Sequence, residues 1–282
     1  MNTYSVLIPV HNESDTIGDI LDSVMESETP ELFAQEDVVV VASGCTDSTI
    51  EIVRGYDEVT LIEEESRNGK SAAIREGLEK ISSDIVVLSS GDLRWEDGTL
   101  DALLEPFRDE AVGVATSRPI PNDDISGVTR LYNQSVWDIH HYLSKRQPKA
   151  GELIAFRNVI RNIPEKCVAD EEYIAQSLEQ EYEKVYAMDA VVQNFPPDSF
   201  AQLYRQRRRV FLGHLDLLSK EGYCAPSVRN GLLFRSLWEY MRKEGYDWRL
   251  ALVAGVELIC RGDAVLRYLV NGEKPYIWEQ VE

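Results

Sequence analysis

Five short runs rich in Val, Ile and Leu mark the first 116 residues, at positions 4–10, 38–42, 59–62, 85–89 and 112–116, and none alternates cleanly with polar residues. A strand with one wet face alternates; a strand covered on both faces has no reason to. Each run is followed by a loop and then a stretch of helical period. The pattern predicts an α/β fold: a mostly parallel sheet with helices on both faces. Ligands on such sheets bind beyond the carboxyl ends of the strands, so the residues following each run are the ones to inspect for chemistry.

Beyond residue 116 the rhythm loosens. A helix is expected over 127–143, a strand over 153–156, a helix over 170–181 and a strand over 185–194, with almost wholly helical structure after Ser199. No repeat or low-complexity linker separates these parts, so the two halves are expected to share one sheet. Charge narrows the function. Lys and Arg number 29 against 49 Asp and Glu, and the resulting field is expected to repel nucleic acid and anionic membranes at long range, which disfavours a general nucleic-acid binder. Residues 200–243 reverse the balance with nine basic and three acidic residues, as a segment facing an anion or an acidic surface would. Cys45, Cys167, Cys224 and Cys260 form no CxxC pair, and no charged-then-apolar leader precedes the first strand. The apolar stretch 250–260 is interrupted by Glu257 and falls short of the roughly 20 residues a membrane span needs. A reduced, cytoplasmic protein without structural zinc or a transmembrane helix is expected.

The strand ends carry the chemistry. The first run ends in Pro9-Val10-His11-Asn12-Glu13; a helix is expected from Ser14 or Asp15, with Asn12 or Ser14 as its cap. The second ends in Ala42-Ser43-Gly44-Cys45-Thr46-Asp47-Ser48-Thr49, where Gly44 permits a tight turn and Ser48 with Glu51 spells a capping box. Arg67-Asn68-Gly69-Lys70 opens a helix whose N-terminus, with Lys70 beside it, can cradle phosphate; an exposed first-turn Lys is the alternative. The fourth run delivers Ser90-Gly91-Asp92, and a carboxylate there can hold Mg²⁺ or Mn²⁺ against a diphosphate. Asp170, Glu171 and Glu172 open a later helix, either complementing its dipole or supplying a catalytic acid.

In this order the segments resemble the family 2 glycosyltransferases of the GT-A fold, over about residues 4–215. Pro9 to Glu13 is similar to the family's P-x-[YH]-N-E turn, and residues 42–49 to its D-D-G-S-T-D-G-T loop, with Ala42 and Ser43 in place of the leading acids. Gly69-Lys70 with Ala72, Ala73, Ile74 and Gly77 resembles G-K-x-x-A-[IL]-x-x-G. Ser90-Gly91-Asp92 falls where the DxD motif belongs, Ser90 replacing its first Asp. Gly151 to Arg157 looks like the loop and strand lining the acceptor pocket, and Ala169-Asp170-Glu171 sits where relatives carry an E-D pair. Gln206-Arg207-Arg208-Arg209-Val210 resembles QxxRW, with Val210 in place of Trp.

The resemblance implies an inverting glycosyltransferase with a nucleotide-binding half (1–116), an acceptor half (117–215) and a helical C-terminal extension (216–282). The donor, a nucleotide-diphosphate sugar, would lie against Pro9, His11, Asn12, Glu13, Ser43, Gly44, Asp47, Lys70, Ser90 and Asp92. Asp92 would hold Mg²⁺ or Mn²⁺. Glu171, with Asp170 next, would be the general base, and Gly151, Gln206, Arg208 and Arg209 would serve the acceptor, a glycan or lipid-linked hydroxyl, and the diphosphate. A sugar-phosphate nucleotidyltransferase and a non-catalytic sugar-nucleotide-binding or scaffold subunit are the alternatives. Arg229 to Lys243 interleaves basic with apolar residues, compatible either with a membrane surface or with packing on the domain.

Overall fold

A computed structural model describes residues 2–122, 127–160, 162–195, 197, 199–245 and 248–271. Its first half follows the expected rhythm: β1 (Asn2–Val10), α1 (Ile17–Glu26), β2 (Phe33–Ser43), α2 (Thr49–Val53), β3 (Val59–Glu64), α3 (Lys70–Leu78) and β4 (Ile85–Ser89). The second half comprises β5 (Leu93–Trp95), α4 (Thr99–Leu104), β6 (Val112–Pro121), α5 (Val128–Ser144), β7 (Leu153–Arg157), α6 (Asp170–Leu178), β8 (Glu183–Asn194), α7 (Phe200–Glu221), α8 (Asn230–Glu244) and α9 (Arg249–Asn271). Of these, the three-residue β5 is not anticipated by periodicity, being too short to show any.

All eight strands form one sheet in the order β3-β2-β1-β4-β7-β6-β8-β5. The first four run parallel; β7 enters antiparallel between β4 and β6, β6 pairs parallel with β8, and β5 closes the edge antiparallel. This is the expected mostly parallel sheet followed by a helical C-terminal region. The lack of alternation in β1 now has its cause. Val6 and Ile8 face a core with Ile17, Ile20 and Leu103, while Leu7 faces the opposite core with Ala73, Ile74 and Ile174. Burying each such side chain contributes roughly 1.5–3 kcal/mol, so both sides of the strand are dominated by apolar residues, with the small Ser5 the buried polar exception. A third cluster, Tyr132, Leu203, Val253, Val256 and Cys260, joins α5, α7 and α9. Among the described residues no helix is long and apolar enough to cross a membrane.

Two expected caps are not formed. α1 starts at Ile17, and the Asn12 side chain instead reaches the second loop, accepting from the Thr46 amide at 2.7 Å and donating to Thr46 Oγ1 at 3.1 Å. Ser48 makes no side-chain cap to α2; Asp47 takes that place, accepting from the Thr49 amide at 3.0 Å and its hydroxyl at 2.6 Å. A carboxylate with two acceptor oxygens can satisfy both loops at once, which a hydroxyl cannot.

Candidate active site

The loops after β1 and β2 are built on each other. His11 Nδ1 lies 2.6 Å from the Ser43 carbonyl oxygen, so that nitrogen carries the proton and Nε2 is left as an acceptor. Gly44 adopts φ of 60°, and a Cβ there would sit 2.5 Å from the Arg67 amide nitrogen; only glycine lets the β2 loop approach the loop leading to α3. Ser43 Oγ accepts from the Asn68 amide at 3.2 Å. Asp47, predicted to touch the donor, spends its oxygens inside the fold, on Thr49 and on the Ser14 amide at 3.1 Å. Burial alone would raise its pKa, but these hydrogen bonds hold it below the usual carboxylate range.

A cluster of charged side chains lies at the carboxyl ends of β1 and β4. Thr16 Oγ1 donates to the Gly91 carbonyl at 2.9 Å, tying the turn that carries Glu13 to the one that carries Asp92. Antiparallel pairing of Ser89 with Leu153 puts Glu152 beside Ser90, whose amide donates to the Glu152 carbonyl at 3.0 Å. Ser71 Oγ hydrogen-bonds both the amide and the carbonyl of Cys167, at 3.2 and 2.9 Å, which sews the start of α3 to the segment before α6. Lys70 is thereby brought onto Glu171 in an ion pair and reaches Ser90 Oγ at 3.2 Å. A Cβ at Gly213 would lie 3.0 Å from Val168 and 3.3 Å from Ala169, so this glycine lets α7 rest on the chain just before α6 and brings Arg209, one turn earlier, to the acids.

Electrostatics show how close these groups are. Burial, with the Asp92 charge added, pushes Glu13 up to about 8 and Glu152 to about 7. Asp170 is pushed up to about 8 by burial and by its neighbour Glu171. Asp92 is also raised by burial, against the pull of Lys70 and Arg209. Glu171 differs: burial would raise it, but the adjoining Lys70 ammonium outweighs this and keeps it ionised. Arg209 is drawn down to about 9 by burial, despite Asp170, Glu171, Glu152 and Asp92 around it. Five carboxylates thus face two cations where water is scarce.

Such a surplus of oxygen ligands suits a hard divalent cation. No three of these acids form a ready-made cage, since the described residues hold no set of three or more His, Cys, Asp or Glu in ligating geometry.

The three consecutive arginines of α7 are sorted by direction. Arg207 Nε donates to Glu257 at 2.7 Å and Arg208 Nη1 to Asp263 at 3.3 Å, both on α9, whereas Arg209 lies among the cluster's acids. Arg208, expected beside the diphosphate, is therefore turned away from it. The partners on α9 decide this: Glu257 and Asp263 hold Arg207 and Arg208, while Arg209, about 100° further round the helix than Arg208, lies among the acids. Glu172 also diverges from Glu171, accepting from the Tyr223 hydroxyl at 3.0 Å. Gly151 borders open space next to Glu152, and Gln206 is half-buried on α7. A groove of about 580 Å³ runs along α3, lined by Glu64, Arg67, Asn68, Arg75, Glu165 and Lys166 among others and by none of the cluster's acids.

Residues 5–166 match the profile described as Glycosyl transferase family 2, more than half of the sequence. The chain belongs to that family. Relatives of this glycosyltransferase include the poly-beta-1,6-N-acetyl-D-glucosamine synthases of Staphylococcus epidermidis, 23% identical over 251 residues, and of Staphylococcus aureus strain MSSA476, 20% identical over 249. Each alignment covers 83% of this chain and 60% of the relative, so the chain spans about three-fifths of their length. Among solved structures, the mannosyltransferase PcManGT from Pyrobaculum calidifontis, in complex with GDP-Man and Mn²⁺, aligns with a TM-score of 0.68 at 21% identity over 96% of this chain and 88% of that one. Glucosyl-3-phosphoglycerate synthase from Mycobacterium tuberculosis, with Mn²⁺, UDP and phosphoglyceric acid, aligns at 0.53 and 20% identity over 77% and 78%. At such identities the likeness concerns the fold.

Two site residues escape a reading of the sequence. Glu152 stands inside a recognised segment, but only the β4–β7 register reveals that it adjoins Ser90. Arg67, whose pKa is lowered by burial and supported by Cys45 and Glu13, gives no signal beyond its position before Gly69.

Proposed function

We propose that this glycosyltransferase moves a sugar from a nucleotide-diphosphate donor to a hydroxyl acceptor by single displacement, inverting the anomeric centre. The observation that carries the reading is the convergence of Lys70, Asp92, Glu152, Asp170, Glu171 and Arg209 from separate segments into one buried cluster. The donor's nucleoside would lie against His11, Ser43, Gly44 and the Arg67–Asn68 rim, with its diphosphate at the start of α3.

Glu171 is the candidate base because the adjoining Lys70 ammonium holds it below the usual carboxylate range while burial raises the acids around it. In the proposed step its carboxylate takes the proton of the acceptor hydroxyl, the acceptor oxygen bonds to the anomeric carbon, and the bond from that carbon to the diphosphate oxygen breaks with its electron pair. A positioned base contributes about 10²–10⁴ in rate. Lys70 pairs with Glu171 before substrate arrives and has a second acceptor partner in Ser90; an incoming diphosphate would draw the ammonium away and restore the base's strength. Asp170, pushed up to about 8, would stay protonated beside it. Arg209 would stabilise charge developing on the leaving diphosphate. Asp92, with Glu152 near, would hold Mg²⁺ or Mn²⁺, which when bound neutralises part of that same charge. The acceptor hydroxyl, on a glycan or a lipid-linked sugar, would enter past Gly151 and Gln206.

The test is transfer by the purified chain from a panel of nucleotide sugars, with and without Mn²⁺. Asp92→Ala and Glu171→Ala should each lower turnover by at least roughly 100-fold while circular dichroism stays unchanged. Wild-type turnover in both variants would sink the assignment. Release of pyrophosphate from a nucleoside triphosphate and a sugar phosphate would instead favour a nucleotidyltransferase.

A further inference from the structure

Helix α9 buries Val253, Val256 and Cys260 against α5 and α7, yet its water-facing side is apolar too. Every exposed residue along it whose side chain is described is Ala, Gly, Val, Leu or Ile. Its charged residues, Arg249, Glu257, Arg261, Asp263 and Arg267, are instead half-buried toward the protein, where Glu257 and Asp263 pair with α7. Leu258 is 75% exposed, Leu266 61% and Leu269 76%, with Ile259 and Val270 beside them. Together these side chains offer on the order of 600 Å² of apolar surface, at the upper end of the largest patch on a typical monomer. The strip extends along most of a helix that is 23 residues, roughly 34 Å, long.

Helix α8 precedes α9 and packs on the same helix, α5. It turns Phe234 (70% exposed) and Trp238 (67%) outward, with exposed Arg235 and Arg242 on the same side. Trp248, also exposed, stands at the start of α9. Aromatic rings, two arginines and a charge-free aliphatic strip match the layers of a bilayer surface: phosphates outside, then the interfacial zone, then acyl chains.

We propose that the outward faces of α9 and α8 seat this protein on a lipid bilayer, parallel to its plane, with Arg235 and Arg242 against lipid phosphates. The inference stands on this surface alone and is independent of the chemistry assigned to the cleft.

The experiment is sedimentation of the full chain with vesicles of phosphatidylcholine alone and of phosphatidylcholine mixed with phosphatidylglycerol, at low salt. The wild type should bind both and favour the anionic mixture. Leu258→Glu with Leu266→Glu, both at exposed positions, should weaken binding to either vesicle at least about tenfold while the thermal midpoint holds. Arg235→Glu with Arg242→Glu should abolish the preference for anionic lipid and leave binding to phosphatidylcholine. No sedimentation of the wild type, or wild-type binding by the leucine variant, would overturn the proposal. So would a concentration-dependent dimer in light scattering that the leucine variant dissociates without any vesicle binding, which would assign the face to a second copy.

Discussion

Replacing Lys70 by Met would test the interaction on which the cluster turns. The side chains of Lys70 and Glu171 are only 14% and 16% exposed, so little water can stand in for a lost ammonium. Removing one member of a buried pair costs about 3–5 kcal/mol, because the other charge is stranded. Here the stranded carboxylate would also face Asp170, Glu152 and Asp92. For a chain of this size such a loss lowers the thermal midpoint by roughly 6–20 °C. Protonation gives Glu171 an escape, so the deficit should shrink as pH falls. Glu171→Gln strands the opposite partner and should cost a comparable amount, whereas the double variant removes both charges and should recover to within about 1–2 kcal/mol of the wild type. Urea denaturation of the four proteins at pH 7 closes the cycle, and a transfer assay on the double variant should show the activity still lost. If the two single losses simply add, within about 0.5 kcal/mol, the residues do not interact and the reasoning about the pair is wrong.

Two further outcomes follow from the same electrostatics. Burial pushes Glu13 and Asp170 to about 8 and Glu152 to about 7, so the folded protein retains protons that an unfolded chain has released. The stability these three contribute is complete below about pH 4 and is lost as pH rises through 7 to 8, while Glu171, held low, acts in the opposite sense in acid. The urea midpoint should therefore fall between pH 6 and pH 8, and Mn²⁺ should restore more of it at pH 8; a flat profile, with Mn²⁺ equally effective at both, contradicts the reading. At the α7–α9 contact, Glu257 is held down to about 2: burial would raise it, but Arg207 and Arg261 outweigh burial. Glu257→Gln should destabilise the chain by about 3 kcal/mol in urea, and a loss below roughly 0.5 kcal/mol would show that the pair adds nothing.

The sheet was legible because its signal is local. Val38 to Ala42 or Ile85 to Ser89 must be apolar on both sides whatever surrounds them, and the strands appear where those runs stand. The caps were misread because capping is local only by default. Asn12 and Ser14 could each have capped α1, but the loop after β2 offered Asn12 a better partner in Thr46, 34 residues away. Periodicity does not say which side of α9 faces the protein, because apolar residues lie on both sides and its acids are answered by arginines on α7.

The arginines of α7 show what a motif can and cannot carry. Three in a row supply a cation in each of three directions, and the sequence alone leaves open which one matters. Glu257 and Asp263, fifty residues downstream, decide it by engaging Arg207 and Arg208, and Arg209 is left to the acids. Fully ionised, five carboxylates against Lys70 and Arg209 would leave a net negative cluster, into which a diphosphate would bring still more negative charge. The cluster can accept that charge only by holding protons, as the raised Glu13, Glu152 and Asp170 do, or by gaining a cation alongside the donor. On the proposed reading donor and divalent ion would bind as one unit, and α9, far from the chemistry in sequence, would shape the donor site by fixing which arginine enters it.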